Sequence, residues 1–122
     1  MIFIGGSLQV CDNSGVKSVK CLKIYGRQPQ RYGKVGDLVL VVIKRIKKFS
    51  TIKKKDIYKG IIVRVKKKVR RDDGSFISFS RNSVVLLNKR GVPIGTRIFG
   101  PVSKELRITK NAKLVTLCPK ML

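Results

Sequence analysis

Short runs of valine, isoleucine and aromatic residues alternate with polar positions along this chain and are cut apart by turn formers. That is the pattern of strands in an all-β sandwich or barrel. Helical periodicity is nearly absent. Strands are predicted at Ser7 to Asp12, Val16 to Tyr25, Leu38 to Lys47, Ile57 to Lys66, Phe76 to Phe79 and Ser83 to Asn88. The turns between them include Asp12-Asn13-Ser14-Gly15, Gly33-Lys34-Val35-Gly36-Asp37, Asp72-Asp73-Gly74-Ser75 and Asn88-Lys89-Arg90-Gly91. In the fourth strand Ile57, Lys59, Ile61, Val63 and Val65 share one face, which is expected to look inward. Leu38 to Ile43 is apolar on both faces, as in a strand covered on both sides, and is placed at the centre of the barrel.

Asp73-Gly74 favours a tight hairpin turn, so Lys66 to Asp72 and Ser75 to Arg81 are expected to project as a basic ribbon. Pro93, Gly95, Gly100 and Pro101 punctuate the C-terminal part of the chain. Val102 to Arg107 reads as a short helix entered through Pro101, and a second is expected to begin at Thr109, capped by its hydroxyl. A chain of 122 residues fits one domain around one core, with the barrel at about 1–92 and a C-terminal helical and loop region at about 93–122. No internal repeat or linker is visible.

Charge changes the picture most. There are 29 Lys and Arg against six Asp and Glu, a net charge of +23 that opposes compaction. Lys44 to Arg71 holds 14 cations and the single acid Asp56 in 28 residues. A solvated face of mixed sign needs no partner, but a run of one sign does, and a nucleic acid backbone relieves the repulsion while releasing counterions. An anionic membrane is the competing partner. It would call for an amphipathic basic helix, which no segment supplies, so no membrane contact is expected. The candidate RNA contacts are Lys44, Arg45, Lys47, Lys48, Lys53, Lys54, Lys66, Lys67, Lys68, Arg70, Arg71, Arg81 and Asn82. Arg70 and Arg71 are expected to face outward from the ribbon. Phe76 and Phe79 fall on opposite faces and most other rings are assigned to the core, so a one-sided stacking platform is missing and folded RNA is expected to be read by backbone and shape.

Cys11, Cys21 and Cys118 form no CxxC pair and histidine is absent, so metal and cofactor are expected to be none, and the thiols are read as small packing residues. Without His the usual general base is gone. Asp72 with Asp73, the one carboxylate pair, sits at a turn tip, and no enzyme activity is expected. The longest apolar run is far short of a membrane span. The first residues lack the features of a signal or transit peptide, so the chain is expected to be made where it works or to have lost its targeting segment.

The residues then carry a family likeness. Gly60-Ile61-Ile62-Val63, Asp73-Gly74, Phe79, Asn82 and Val85-Leu86 fall at matching spacing, as do Asp12-Asn13-Ser14-Gly15, Val35-Gly36-Asp37, Val69-Arg70-Arg71, Pro93 to Val102 and Glu105-Leu106-Arg107. Across Met1 to Leu122 the chain resembles the universal large-subunit ribosomal protein fourteen family. The resemblance implies a five-stranded β-barrel with a projecting β-ribbon and a C-terminal region with two short helices. It also implies a structural constituent of the large ribosomal subunit that binds large-subunit rRNA, packs against neighbouring ribosomal proteins and contributes to an intersubunit bridge with small-subunit rRNA. Thr96, Arg97 and Lys113 are carried over as the face turned to the small subunit and to a subunit-joining inhibitor. Gly95 and Gly100 are assigned to turns and Phe99 to the core.

Lys68 and Asp72 stand where the family carries Gly and Pro, and Arg45 to Lys55 matches it poorly. The excess of Lys and Ile, with only six acids, favours a mitochondrial ribosome over the bacterial cytoplasm or plastid. The alternative function is a free basic β-barrel translation factor or RNA chaperone, which would cycle on and off RNA.

Overall fold

In the computed structural model, which describes residues 2–25, 32–48, 52–108 and 112–122, the β-branched runs become strands whose alternate side chains converge on a closed barrel. In chain order the strands are β1 (Ile2–Phe3), β2 (Ser7–Val10), β3 (Val16–Ile24), β4 (Tyr32–Gly33), β5 (Leu38–Ile46), β6 (Ile57–Arg64), β7 (Val69–Arg70), β8 (Phe76–Ile77) and β9 (Ser83–Leu87). A 3-10 turn at Lys104–Ile108 and helix α1 (Ala112–Leu117) complete the order. Thr109, expected to cap the second helix, lies outside the described residues.

The barrel runs β2-β3-β5-β6-β9. Its long ladders are antiparallel, and it closes where β9 meets β2 in a parallel pair, Gln9 opposite Ser83 and Val10 opposite Val84. Leu8, Val19, Cys21, Val39, Val41, Ile43, Ile62, Val84 and Leu86 fill the interior. Each such aliphatic side chain contributes roughly 1.5–3 kcal/mol by leaving water.

A second cluster lies outside the barrel wall, where Ile61, Val63, Val85 and Leu87 meet Ile98, Val102, Leu106 and Leu114 of the C-terminal region. This corrects the expected inward face of β6. Ile62 points into the barrel and Ile61 and Val63 point out of it, while Ile57 is 58% exposed and Lys59 is exposed. A bulge between Ile62 and Arg64 then slips the register, and Val65 packs inside the barrel. The strand buried on both faces is β9, all five of whose residues are buried. In β5 only Val39, Val41 and Ile43 are fully buried, and Leu38, Leu40 and Val42 are half-buried.

The ribbon is β7 against β8, shorter than expected. Its turn is also one residue longer than a two-residue hairpin. Gly74 N–H donates to Arg71 O and Arg71 N–H to Ser75 O, with Gly74 alone of the turn at positive φ, 88°. That is a type I turn closed by a glycine bulge. The aromatic assignment is corrected as well, because no described aromatic ring is fully buried and the cores are aliphatic.

β2 ends before the seam does. Past it, the carboxylate of Asp12, 3% exposed, accepts hydrogen bonds from the Leu86 N–H at 3.3 Å and from Ser14 N–H and Oγ. One side chain thereby extends the closure of the barrel and sets the adjoining turn. Asp12→Ala would leave the Leu86 N–H buried and unpaired, at a cost of about 2–3 kcal/mol. Guanidinium unfolding should show a midpoint lowered by that free energy divided by the denaturant slope, with the slope itself unchanged.

Candidate nucleic-acid interface

β5 outruns the core. Ile43 is its last fully buried residue, and Lys44 and Arg45 continue into solvent. β6 behaves differently at its end: Val65 remains buried, and the Lys66 N–H then donates to Asn82 Oδ1 at 2.8 Å, which turns the chain out into the ribbon. Arg81 precedes β9 on the returning arm. These three segments meet, and Lys44, Arg45, Lys66, Arg81 and Asn82 line one groove of about 510 Å³ whose wall holds no Asp or Glu. Residues up to 37 positions apart in sequence thus present four cations to one surface.

Asn82 holds this geometry. It is half-buried, its side-chain oxygen is taken by Lys66, and its main-chain oxygen accepts the Gln9 N–H at 3.1 Å. Lys47, Lys48, Lys53 and Lys54 are exposed around the β5–β6 connection, which buried Ile52 anchors to the core. On the ribbon Lys67, Lys68 and Arg70 are exposed, Lys67 and Lys68 lining a separate hollow with Tyr32.

Arg71 does not face outward as expected. It is half-buried, its Nε donates to Glu105 Oε1 at 2.9 Å, and its Nη2 reaches Glu105 Oε2 and the Leu122 main-chain oxygen. The guanidinium fastens the ribbon to the C-terminal region instead of offering itself to a phosphate.

Thr96 and Arg97 are exposed on a loop clamped by Asn13. Asn13 Oδ1 accepts the N–H groups of Thr96 at 2.8 Å and Arg97 at 3.2 Å, and its Nδ2 donates to Thr96 Oγ1 at 2.8 Å. The sequence places Asn13 only in a turn. Nothing local distinguishes an Asn that bonds its own turn from one that organises a loop 83 residues away. Lys113 is exposed on α1, beside Leu114 of the outer cluster.

Cys11 and Cys21 are buried and Cys118 half-buried, and burial pushes all three thiols above their ordinary range, away from the reactive thiolate. The model of the family described as ribosomal protein L14p/L23e matches residues 1–122 of the chain.

The Arg71–Glu105 pair makes a pH-dependent contribution. Burial pushes the Glu105 carboxyl up, but the Arg71 hydrogen bond and charge outweigh it, and its pKa is lowered in the fold. Its contribution is therefore complete above the unfolded carboxylate value of about 4.3 and is lost as pH falls through the lower folded value. Thermal melts of the native chain and Glu105→Gln should differ near neutrality, converge as acid is added, and coincide once Glu105 is protonated in both states.

Proposed function

The chain belongs to the ribosomal protein L14p/L23e family and is a structural protein of the large ribosomal subunit, and on that premise we propose that it holds large-subunit rRNA through the groove of Lys44, Arg45, Lys66 and Arg81. The observation that carries this reading is the convergence of cations from three segments on a wall without carboxylates. Arg45 and Arg81 fork onto phosphate oxygens while Lys44 and Lys66 act as point charges. The exposed lysines of the β5–β6 connection and the ribbon, with Arg70, extend the same contact beyond the barrel.

The second surface is the Asn13-clamped loop. Thr96 and Arg97, with Lys113, form the face that meets small-subunit rRNA in an intersubunit bridge and that a subunit-joining inhibitor would cover. Their exposure and the rigid backbone beneath them support this reading. Neighbouring ribosomal proteins pack around the same assembly. The Lys and Ile excess and the six acids favour the mitochondrial ribosome as its place of work.

Titrating large-subunit rRNA over a range of salt tests the first surface. Lys44→Ala, Arg45→Ala and Arg81→Ala together should flatten the slope of log affinity against log salt by about 0.7–0.9 for each phosphate contact removed. An unchanged slope would place the RNA elsewhere.

For the second surface, large subunits carrying Thr96→Ala, Arg97→Ala and Lys113→Ala should assemble normally. They should then associate less well with small subunits at limiting magnesium. The loss should be modest, since exposed polar contacts contribute about 0–1 kcal/mol each.

A further inference from the structure

Beside the basic groove, and sharing Gln9, Ser80 and Arg81 with it, is a cleft of about 450 Å³ walled by Phe79, Phe99 and Arg64. Its size falls in the range of roughly 300–1,000 Å³ that small ligands occupy. Phe99, assigned to the core from sequence, is 47% exposed, and Phe79 is half-buried. Leaving an aromatic ring this exposed beside a concave wall gives up apolar burial that the outer cluster could have supplied.

The backbone shows that the arrangement is built. The Phe99 N–H donates to Cys11 O at 2.7 Å, and the Phe99 carbonyl accepts from Arg64 Nη2 at 3.0 Å, so the main chain that carries the ring is fixed at both of its polar groups. Gly100, at φ 80°, lets the loop pass over the guanidinium, where an added Cβ would stand 2.9 Å from Arg64 Nη1. Among the described residues Arg64 Nε is buried without a hydrogen-bond partner, and the rest of the guanidinium is engaged by Phe99 O and the Cys11 thiol.

We propose that this cleft receives one unpaired nucleotide of the large-subunit rRNA, its base stacked against Phe99 and Phe79 and its phosphate held by Arg81 where groove and cleft meet. The inference rests on the groove reading above and adds base recognition to what is otherwise a purely electrostatic contact. Three features favour a nucleotide over a protein side chain. The cleft opens onto a cationic groove, its lining contains no Asp or Glu, and it combines rings with guanidinium groups, which suit the π-face of a base as well as its phosphate. The base must be unpaired, because only a splayed base offers its faces to a ring. The Gln9 amide and Ser80 hydroxyl supply donors and acceptors at the same wall for its edge.

The chain contains no Trp, so Phe99→Trp creates a single emitter inside the cleft. Titrated with large-subunit rRNA, the Phe99→Trp chain should lose most of its indole emission through stacking as it binds. A Phe3→Trp chain, whose ring lines neither groove nor cleft, should retain its emission. Phe99→Ala should weaken binding roughly tenfold with an unchanged salt slope, as expected of a lost stack. Arg81→Ala should weaken it and also flatten the slope. RNA binding that is intact while the emission of the Phe99→Trp chain stays constant, or a Phe99→Ala affinity equal to native, would overturn the nucleotide cleft and leave the groove standing. Emission that responds to added ribosomal proteins but not to RNA would make the cleft a protein socket and overturn it equally. Failure of the native chain to bind the RNA at low salt would overturn the groove and the cleft together.

Discussion

The fold depends on a seam that is nearly too short to hold. Five strands close into a barrel only if β2 pairs with β9, and the two share just two residue pairs in a parallel register. The chain extends the seam with polar groups when strand pairing ends: the Gln9 N–H to Asn82 O, the Cys11 N–H to Val84 O, and the Asp12 carboxylate to the Leu86 N–H. The other edge of the same segment accepts the C-terminal loop, through Asn13 to Thr96 and Arg97 and through Cys11 O to Phe99. Residues 9 to 13 are therefore shared by the barrel closure, the groove, the cleft and the exposed loop. A change that opens the seam would disturb all four together.

The second constraint is charge. With 29 cations and six acids, carboxylates are scarce, and four of them complete backbone turns or tie segments together. Asp12 serves the seam, Asp37 accepts the Lys34 N–H, Asp73 accepts Ser75, and Glu105 joins Arg71 and Ser103. None of the six lines the groove or the cleft. Self-repulsion among the groove cations is thus left in place, which costs the isolated chain stability and is relieved when a polyanion enters. An aliphatic core in two clusters, one inside the barrel and one on its outer wall, sustains the fold against that repulsion.

Much of this is legible in the sequence, for a definite reason. β3, β5 and β9 fall within a residue or so of their predicted bounds because their β-branched runs are delimited by turn formers. The facing of β6 is misread because a single bulged residue reverses inside and outside, and nothing in Ile62-Val63-Arg64-Val65 announces it. Short pairs such as β1 with β4 carry too few residues to show a period. At the site, the cations are visible as a run, but their convergence is not: Arg81 meets Lys44 only through the barrel's closure. Arg71 looks identical to Arg70 in sequence, and its pairing with Glu105 depends on how the C-terminal region docks. Phe99 and Asn13 escape notice because ring exposure and side-chain reach are tertiary properties.

These placements bear on how tightly such a basic surface can hold RNA. Ordering a flexible lysine or arginine costs up to about 2 kcal/mol of side-chain entropy, comparable to what one exposed contact returns. A disordered basic tail would also have to order its backbone, at about 1–2 kcal/mol per residue. Here that second cost is met during folding. Lys44 and Arg45 extend from a strand paired on both sides, Lys66 is fixed by Asn82, and Arg81 sits beside the seam. The cations arrive with their spacing set, and counterion release acts with only side-chain freedom opposing it. A permanent component of a ribonucleoprotein benefits from that arrangement more than a cycling factor does, because low reorganisation on binding slows release. On the proposed reading the barrel is part of the RNA-binding chemistry, supplying order to charges that the sequence supplies in excess.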